Sequence, residues 1–116
     1  MKSLKYTFEY FCSPIWIEED IENPIYKNIE IDSLEFDHYL KDEINTLNTI
    51  YQSKYNDNYP PEAHLFSIAE EIIFTSRVIT SSKILTELLK NQYNVIFETS
   101  YWEKKLMQLI KELENK

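Results

Sequence analysis

Residues 4–12, Leu4-Lys5-Tyr6-Thr7-Phe8-Glu9-Tyr10-Phe11-Cys12, alternate between apolar and polar side chains. Tyr6, Phe8 and Tyr10 point one way and Lys5, Thr7 and Glu9 the other, the period of two expected of a half-buried strand. Ser13-Pro14 interrupts it, and Ile15-Trp16-Ile17 reads as a second short strand. Pro14 has no amide donor, which places it at a strand start or a sheet edge. Tyr26 to Ile31 supplies a third extended piece.

The period then changes. Ile31-Asp32-Ser33-Leu34-Glu35-Phe36 predicts a helix start, with Asp32 as cap, Glu35 three residues on, and Ile31 stapled onto Phe36. Phe36, Leu40, Ile44, Leu47, Ile50 and Tyr51 continue one apolar stripe to about Lys54. After Tyr55-Asn56-Asp57-Asn58-Tyr59-Pro60-Pro61, a second helix is expected from about Glu62 to Asn91. Pro61 stands at its N-terminus, and a helix of that length is expected either to bend or break locally at the weak helix formers Thr80-Ser81-Ser82 or to overhang at one end. Residues 94–99 form a β-type run, and Ser100 with Glu103 predicts a capping box opening a last helix through about Leu113. Trp102, Leu106, Leu109, Ile110 and Leu113 form its apolar face. The order β-β-(β)-α-α-β-α predicts an α+β fold, a small mainly antiparallel sheet covered by three helices. At 116 residues the chain is expected to form a single domain, 1–116.

Composition narrows the chemistry. Glycine is absent, and phosphate-cradling loops, the dinucleotide fingerprint and the nucleophile elbow all need it where backbone turns sharply or approaches a ligand. Cys12 is the one cysteine, so neither an internal disulfide nor a cysteine-rich zinc site can form. The two histidines, His38 and His64, fit no metal-ligand spacing. The acids near residue 20 lack the glycine turn of a calcium loop, and one run of carboxylates does not make the facing pair that glycoside hydrolysis uses. No metal, no cofactor and no catalytic residue is therefore expected. No apolar run is long enough to span a bilayer and no leader is recognisable, which makes a cytoplasmic location the expectation.

Charge is concentrated. Residues 1–62 hold 13 acids and 5 bases, and residues 63–116 hold 7 of each, so the net charge of −8 belongs to the first half. Residues 18–43 alone hold ten acids against Lys27 and Lys41. Such a field repels nucleic acid and anionic membrane and favours a basic protein partner. Glu18, Glu19, Asp20 and Glu22, with Asp37 and Asp42, are the candidate partner-binding acids. Tyr55 and Tyr59, which follow Tyr51 at four-residue steps, are candidate contact aromatics, since tyrosine joins apolar area to a hydroxyl at low entropic cost. Trp16, between two isoleucines and beside the acids, reads either as core or as interface.

A wider pattern connects these segments. The stretch SPIWIE (13–18) is followed by a helix opened by IDSLEF (31–36) and ending in LNTIYQSKYNDNYPPE (47–62). A second helix carries FTSRVITSSKILTELLKNQ (74–92) and feeds YNVIFET (93–99). Over roughly residues 4–99 this order resembles small bacterial immunity proteins of polymorphic and contact-dependent growth inhibition toxin systems. The resemblance implies a cytosolic antitoxin, without enzymatic activity, that binds the toxin domain of a sibling cell's effector, commonly a nuclease. Many such toxins are basic because they hold phosphates, and an acidic inhibitor complements them. The alternative is a phage- or plasmid-encoded inhibitor or adaptor of a basic host protein, with a small carboxylate-dependent hydrolase behind it.

Overall fold

Leu4 and Tyr6 are buried while Ser3 and Lys5, which alternate with them, are not, so the predicted alternation is realised in β1, Ser3–Tyr6. The computed structural model describes residues 1–20, 22, 25–55 and 66–116. β2 (Ile15–Glu18) and β3 (Tyr26–Ile29) follow, then α1 (His38–Ser53), α2 (Ile68–Leu89), β4 (Asn94–Ile96) and α3 (Thr99–Glu114). The sheet order is β3-β2-β1-β4. β1, β2 and β3 pair antiparallel, whereas β4 runs parallel to β1, making the sheet mixed. The α+β class and element order agree with the expectation.

Register sorts the two faces. Tyr6 lies opposite Ile15, which lies opposite Ile29, and Leu4 lies opposite both Ile17 and Val95. These face the helices and join Leu40, Ile44 and Leu47 of α1, Val78, Leu85 and Leu89 of α2, and Trp102 of α3 in one core cluster. By strand alternation Lys5, Trp16, Asn28 and Ile96 face the other way. Trp16 is thus half-buried on the face turned from the helices, its indole N–H donating to the Thr7 carbonyl at 3.3 Å.

Several boundaries differ from expectation for local reasons. β1 ends at Tyr6, yet Phe8 remains buried and meets Tyr6, Phe74 and Trp102 through its ring. Its hydrophobicity thus serves the core from irregular backbone. Residues Ile31–Ser33 form a single 3-10 turn that ends because Leu34 is extended. α1 starts later, capped by Asp37, whose carboxylate accepts the Leu40 amide at 3.1 Å. α2 opens on a complete capping box, Ser67 with Glu70. The role expected of Pro61 lies outside the described residues. α3 begins at Thr99 after Glu98, which makes no side-chain cap, in place of the box expected from Ser100.

α2 runs unbroken through Thr80-Ser81-Ser82, about 33 Å for its length. Ser81 and Ser82 donate to the carbonyls three residues back, Val78 at 2.7 Å and Ile79 at 2.6 Å. With its own hydrogen so used, Ser81 Oγ accepts from the buried Tyr6 hydroxyl at 2.8 Å. These hydroxyls are satisfied within the helix and against the sheet, and packing overrides their weak propensity. At the other end of the helix pair, Lys54 reaches Glu71 at 3.0 Å and lies 4.4 Å above the Phe74 ring. Burial pulls the Lys54 ammonium below its ordinary pKa, partly offset by Glu71.

Candidate functional site

The candidate acids do not converge on one patch. Glu18 is buried, and its carboxylate accepts the Ser3 amide at 3.1 Å, so it fastens β1 to β2. Glu19, Asp20 and Glu22 are exposed on the β2–β3 loop. That loop is closed by the Glu19 amide donating to the Ile25 carbonyl at 2.8 Å, and Asp20 Oδ1 accepts the Glu22 amide at 3.0 Å. Asp37 caps α1, and Asp42, one turn further on, sits 3.1 Å from His38. Tyr55 lies just past the opposite end of α1, about 24 Å along a helix of that length. Tyr59 lies outside the described residues. The expected contact residues thus fall into a loop group, a group at the start of α1, and one tyrosine near its end.

Between α1 and α2 runs a groove of about 350 Å³ whose walls include Asp37, Tyr39, Leu40, Glu43, Arg77 and Ile84. Arg77 grips Glu43 with two donors, Nε at 2.9 Å and Nη2. This grip holds the Glu43 carboxyl below its ordinary range and raises Arg77. Tyr39 stands at its rim, 81% exposed.

A second feature centres on two residues that the candidate list omitted, Tyr10 and Phe11. Phe11 has φ 66°, the left-handed region, which costs a residue with a Cβ on the order of 1–2 kcal/mol. The residue is nonetheless 80% exposed. The turn carrying it is pinned by Gln52 of α1. The Phe11 amide donates to Gln52 Oε1 at 2.9 Å, and Gln52 Nε2 donates to the carbonyls of Glu9 at 3.0 Å and Cys12 at 3.3 Å. Asn48 Nδ2 adds a bond to the Cys12 carbonyl at 3.4 Å. Around this turn, Tyr10 stacks on Tyr51 with ring centroids 4.7 Å apart and meets Tyr55 at 5.0 Å, and Phe11 stands edge-on to Tyr55 at 4.9 Å. Burial pushes the Tyr51 phenol up, and Tyr10, Tyr101 and Glu9 act in the same direction. Tyr55 therefore belongs to a fixed aromatic cluster with an apolar tip. The signal was present in the sequence, because Phe11 falls on the polar side of the 4–12 alternation, where a strand would have wanted another polar residue.

Among the described residues, no group of three or more His, Cys, Asp or Glu side chains is placed to hold a metal ion. None of their helices is long and apolar enough to cross a membrane. Among the described residues the surface presents an acidic loop, a groove and an aromatic knob. A family model described as Serratia CdiI immunity protein-like matches residues 2–100. The chain belongs to this family. The matched part takes in the whole sheet, α1, α2, the Phe11 turn and the acidic loop, and it stops as α3 begins. No curated protein matches the chain. Family membership makes an immunity role, with a cognate toxin protein as partner, the function to which the surface has to answer.

Proposed function

We propose that this member of the CdiI immunity protein-like family works in the cytoplasm by binding the toxin domain of a contact-dependent growth inhibition effector. The toxin domain is a basic nuclease, and the bound immunity protein blocks access to its substrate. The observation that carries the reading is the family match over residues 2–100. The charge map supports its finer part: the acids Glu19, Asp20 and Glu22 are exposed together on one loop, within a chain of net charge −8. A nuclease must hold phosphates and so carries positive potential, and complementary charge speeds encounter and selects partners while buried anchors supply most of the affinity. Inhibition needs no reaction on the immunity protein itself.

The test is co-expression of the protein with the toxin domain encoded beside it. Rescue of growth and copurification of a complex are expected, together with loss of the toxin's nucleic-acid cleavage in the purified complex. A toxin domain that kills despite the protein, and that does not copurify with it, overturns the reading.

A further inference from the structure

We propose that the Phe11 turn is the anchor of the toxin contact, its ring entering an apolar pocket on the toxin domain that is rimmed by lysine or arginine side chains. The proposal rests on the immunity reading above and adds the surface and the chemistry of the contact.

Three observations carry it. Phe11 combines left-handed backbone with 80% exposure of the residue. Neither sterics nor burial explains that residue at that position, since asparagine or glycine would take the conformation at lower cost and a polar side chain would suit the exposure. Strain kept in place by surrounding bonds concentrates at functional positions. Tyr39 is equally exposed, at 81%, but it sits on ordinary helical backbone and requires no such account.

The turn is also rigid before any partner arrives. Gln52 holds the Phe11 amide and the carbonyls on both sides of it, and Tyr55 stands edge-on to the ring. An aromatic side chain already held in position loses little further entropy on binding, which is the property of residues that dominate interfaces.

Charge and ring chemistry identify the rim of the pocket. Glu9 is exposed two residues from Phe11, Tyr55 stands beside the Phe11 ring with 42% of its surface open, and Tyr10, 37% open, packs on Tyr55 in turn. Exposed aromatic faces beside a carboxylate favour cationic side chains, guanidinium above all, which stack on rings and pair with acids. The net charge of −8 draws the same kind of partner.

Phe11→Asn separates a binding role from a structural one, because asparagine accepts the left-handed backbone and removes the ring. Binding to the purified cognate toxin domain is measured alongside thermal unfolding. The expected result is a dissociation constant weakened about 100-fold or more, mostly through faster dissociation, with Tm raised by about 2–5 °C as strain is relieved. Phe11→Tyr, which keeps an aromatic ring, is expected to stay within about tenfold of the parent. Parent-like affinity of Phe11→Asn for a toxin domain that the parent protein binds overturns the anchor and leaves the immunity reading standing. A fall in Tm for Phe11→Asn makes the ring a structural element and also overturns the anchor. Failure of the parent protein to bind the toxin domain removes the immunity reading and the anchor with it.

Discussion

At the scale of single residues, polar atoms in the interior are matched with care, and one mismatch is informative. The Tyr6 hydroxyl, deep in the core, finds Ser81, and Ser81 and Ser82 find carbonyls of their own helix. Thr75 is fully buried in α2, and its hydroxyl has no hydrogen-bond partner among the described residues. An unsatisfied buried hydroxyl costs about 1–3 kcal/mol, and valine has the same shape without it. Thr75→Val is therefore expected to stabilise the fold by about 1 kcal/mol, read as a rise in the denaturant midpoint with unchanged slope. Glu18 teaches the complementary lesson. In the sequence it looks like the first of four loop acids, but as the last residue of β2 it is buried, its carboxylate taken up by the Ser3 amide of the neighbouring strand. Composition cannot reveal that, because charge counts carry no direction.

At the scale of elements, the loops between strands divide the work. Glu19, Asp20 and Glu22 stand exposed on the β2–β3 loop, so changing their sign should leave the core intact, at the cost of the bond between the Asp20 carboxylate and the Glu22 amide. Replacing all three with lysine is expected to slow toxin association about tenfold or more in dilute salt, with the gap closing near 1 M, where the Debye length shrinks to about 3 Å. An on-rate unchanged in dilute salt would remove this loop from the encounter surface. Much of the element order was legible because Leu4, Tyr6, Ile15 and the α1 stripe obey simple periods. One physical cause of the failures is that burial does not require a ladder or a helix, and another is that the composition of a helix start does not guarantee one. Phe8 is buried from irregular backbone, and Asp32-Ser33-Leu34-Glu35 has the composition of a helix start but breaks after one 3-10 turn, leaving Asp37 to cap α1. The Ser67–Glu70 box was readable and was masked by the stronger signal of Pro61. The aromatic knob was half legible: four-residue steps select Tyr51 and Tyr55, whereas Tyr10 and Phe11 reach them only through the tertiary fold.

At the scale of the whole molecule, two buried or half-buried groups make stability depend on pH on both sides of neutrality. Arg77 holds the Glu43 carboxyl below its ordinary value of 4.5. The folded state therefore takes up this proton less readily than the unfolded chain, and the contribution of the pair, present above about pH 4.5, is lost as pH falls below it. For Tyr6 the direction is reversed. Burial raises its pKa above the ordinary 10.0, outweighing the lowering effect of Ser81. Its stabilising contribution is complete below pH 10 and declines above it as the unfolded chain ionises first. Glu43→Gln is expected to flatten the acid limb of a plot of unfolding free energy against pH, and Tyr6→Phe to lessen the alkaline limb, to which the raised pKa of Tyr51 also contributes and which the lowered pKa of Lys54 opposes. In each case the other limb stays as it was, as chemical denaturation at stepped pH would show.

The position of β1 also has a bearing on how the chain comes to be folded. It is an interior strand, with β2 on one side and β4 on the other, and Ser3 is matched with Asn94 across the parallel pairing. The hairpin with β2 closes a short loop, but the second edge must wait for a segment almost the length of the molecule away, a contact of the kind that slows folding. During synthesis the strand laid down first keeps one row of amides and carbonyls bare until residues 94–96 have cleared the ribosome. An open edge of that kind is an invitation to other chains. The sheet is therefore complete only once the three residues of β4 arrive, and a delay in translation between α2 and β4 lengthens the interval in which that edge stays open.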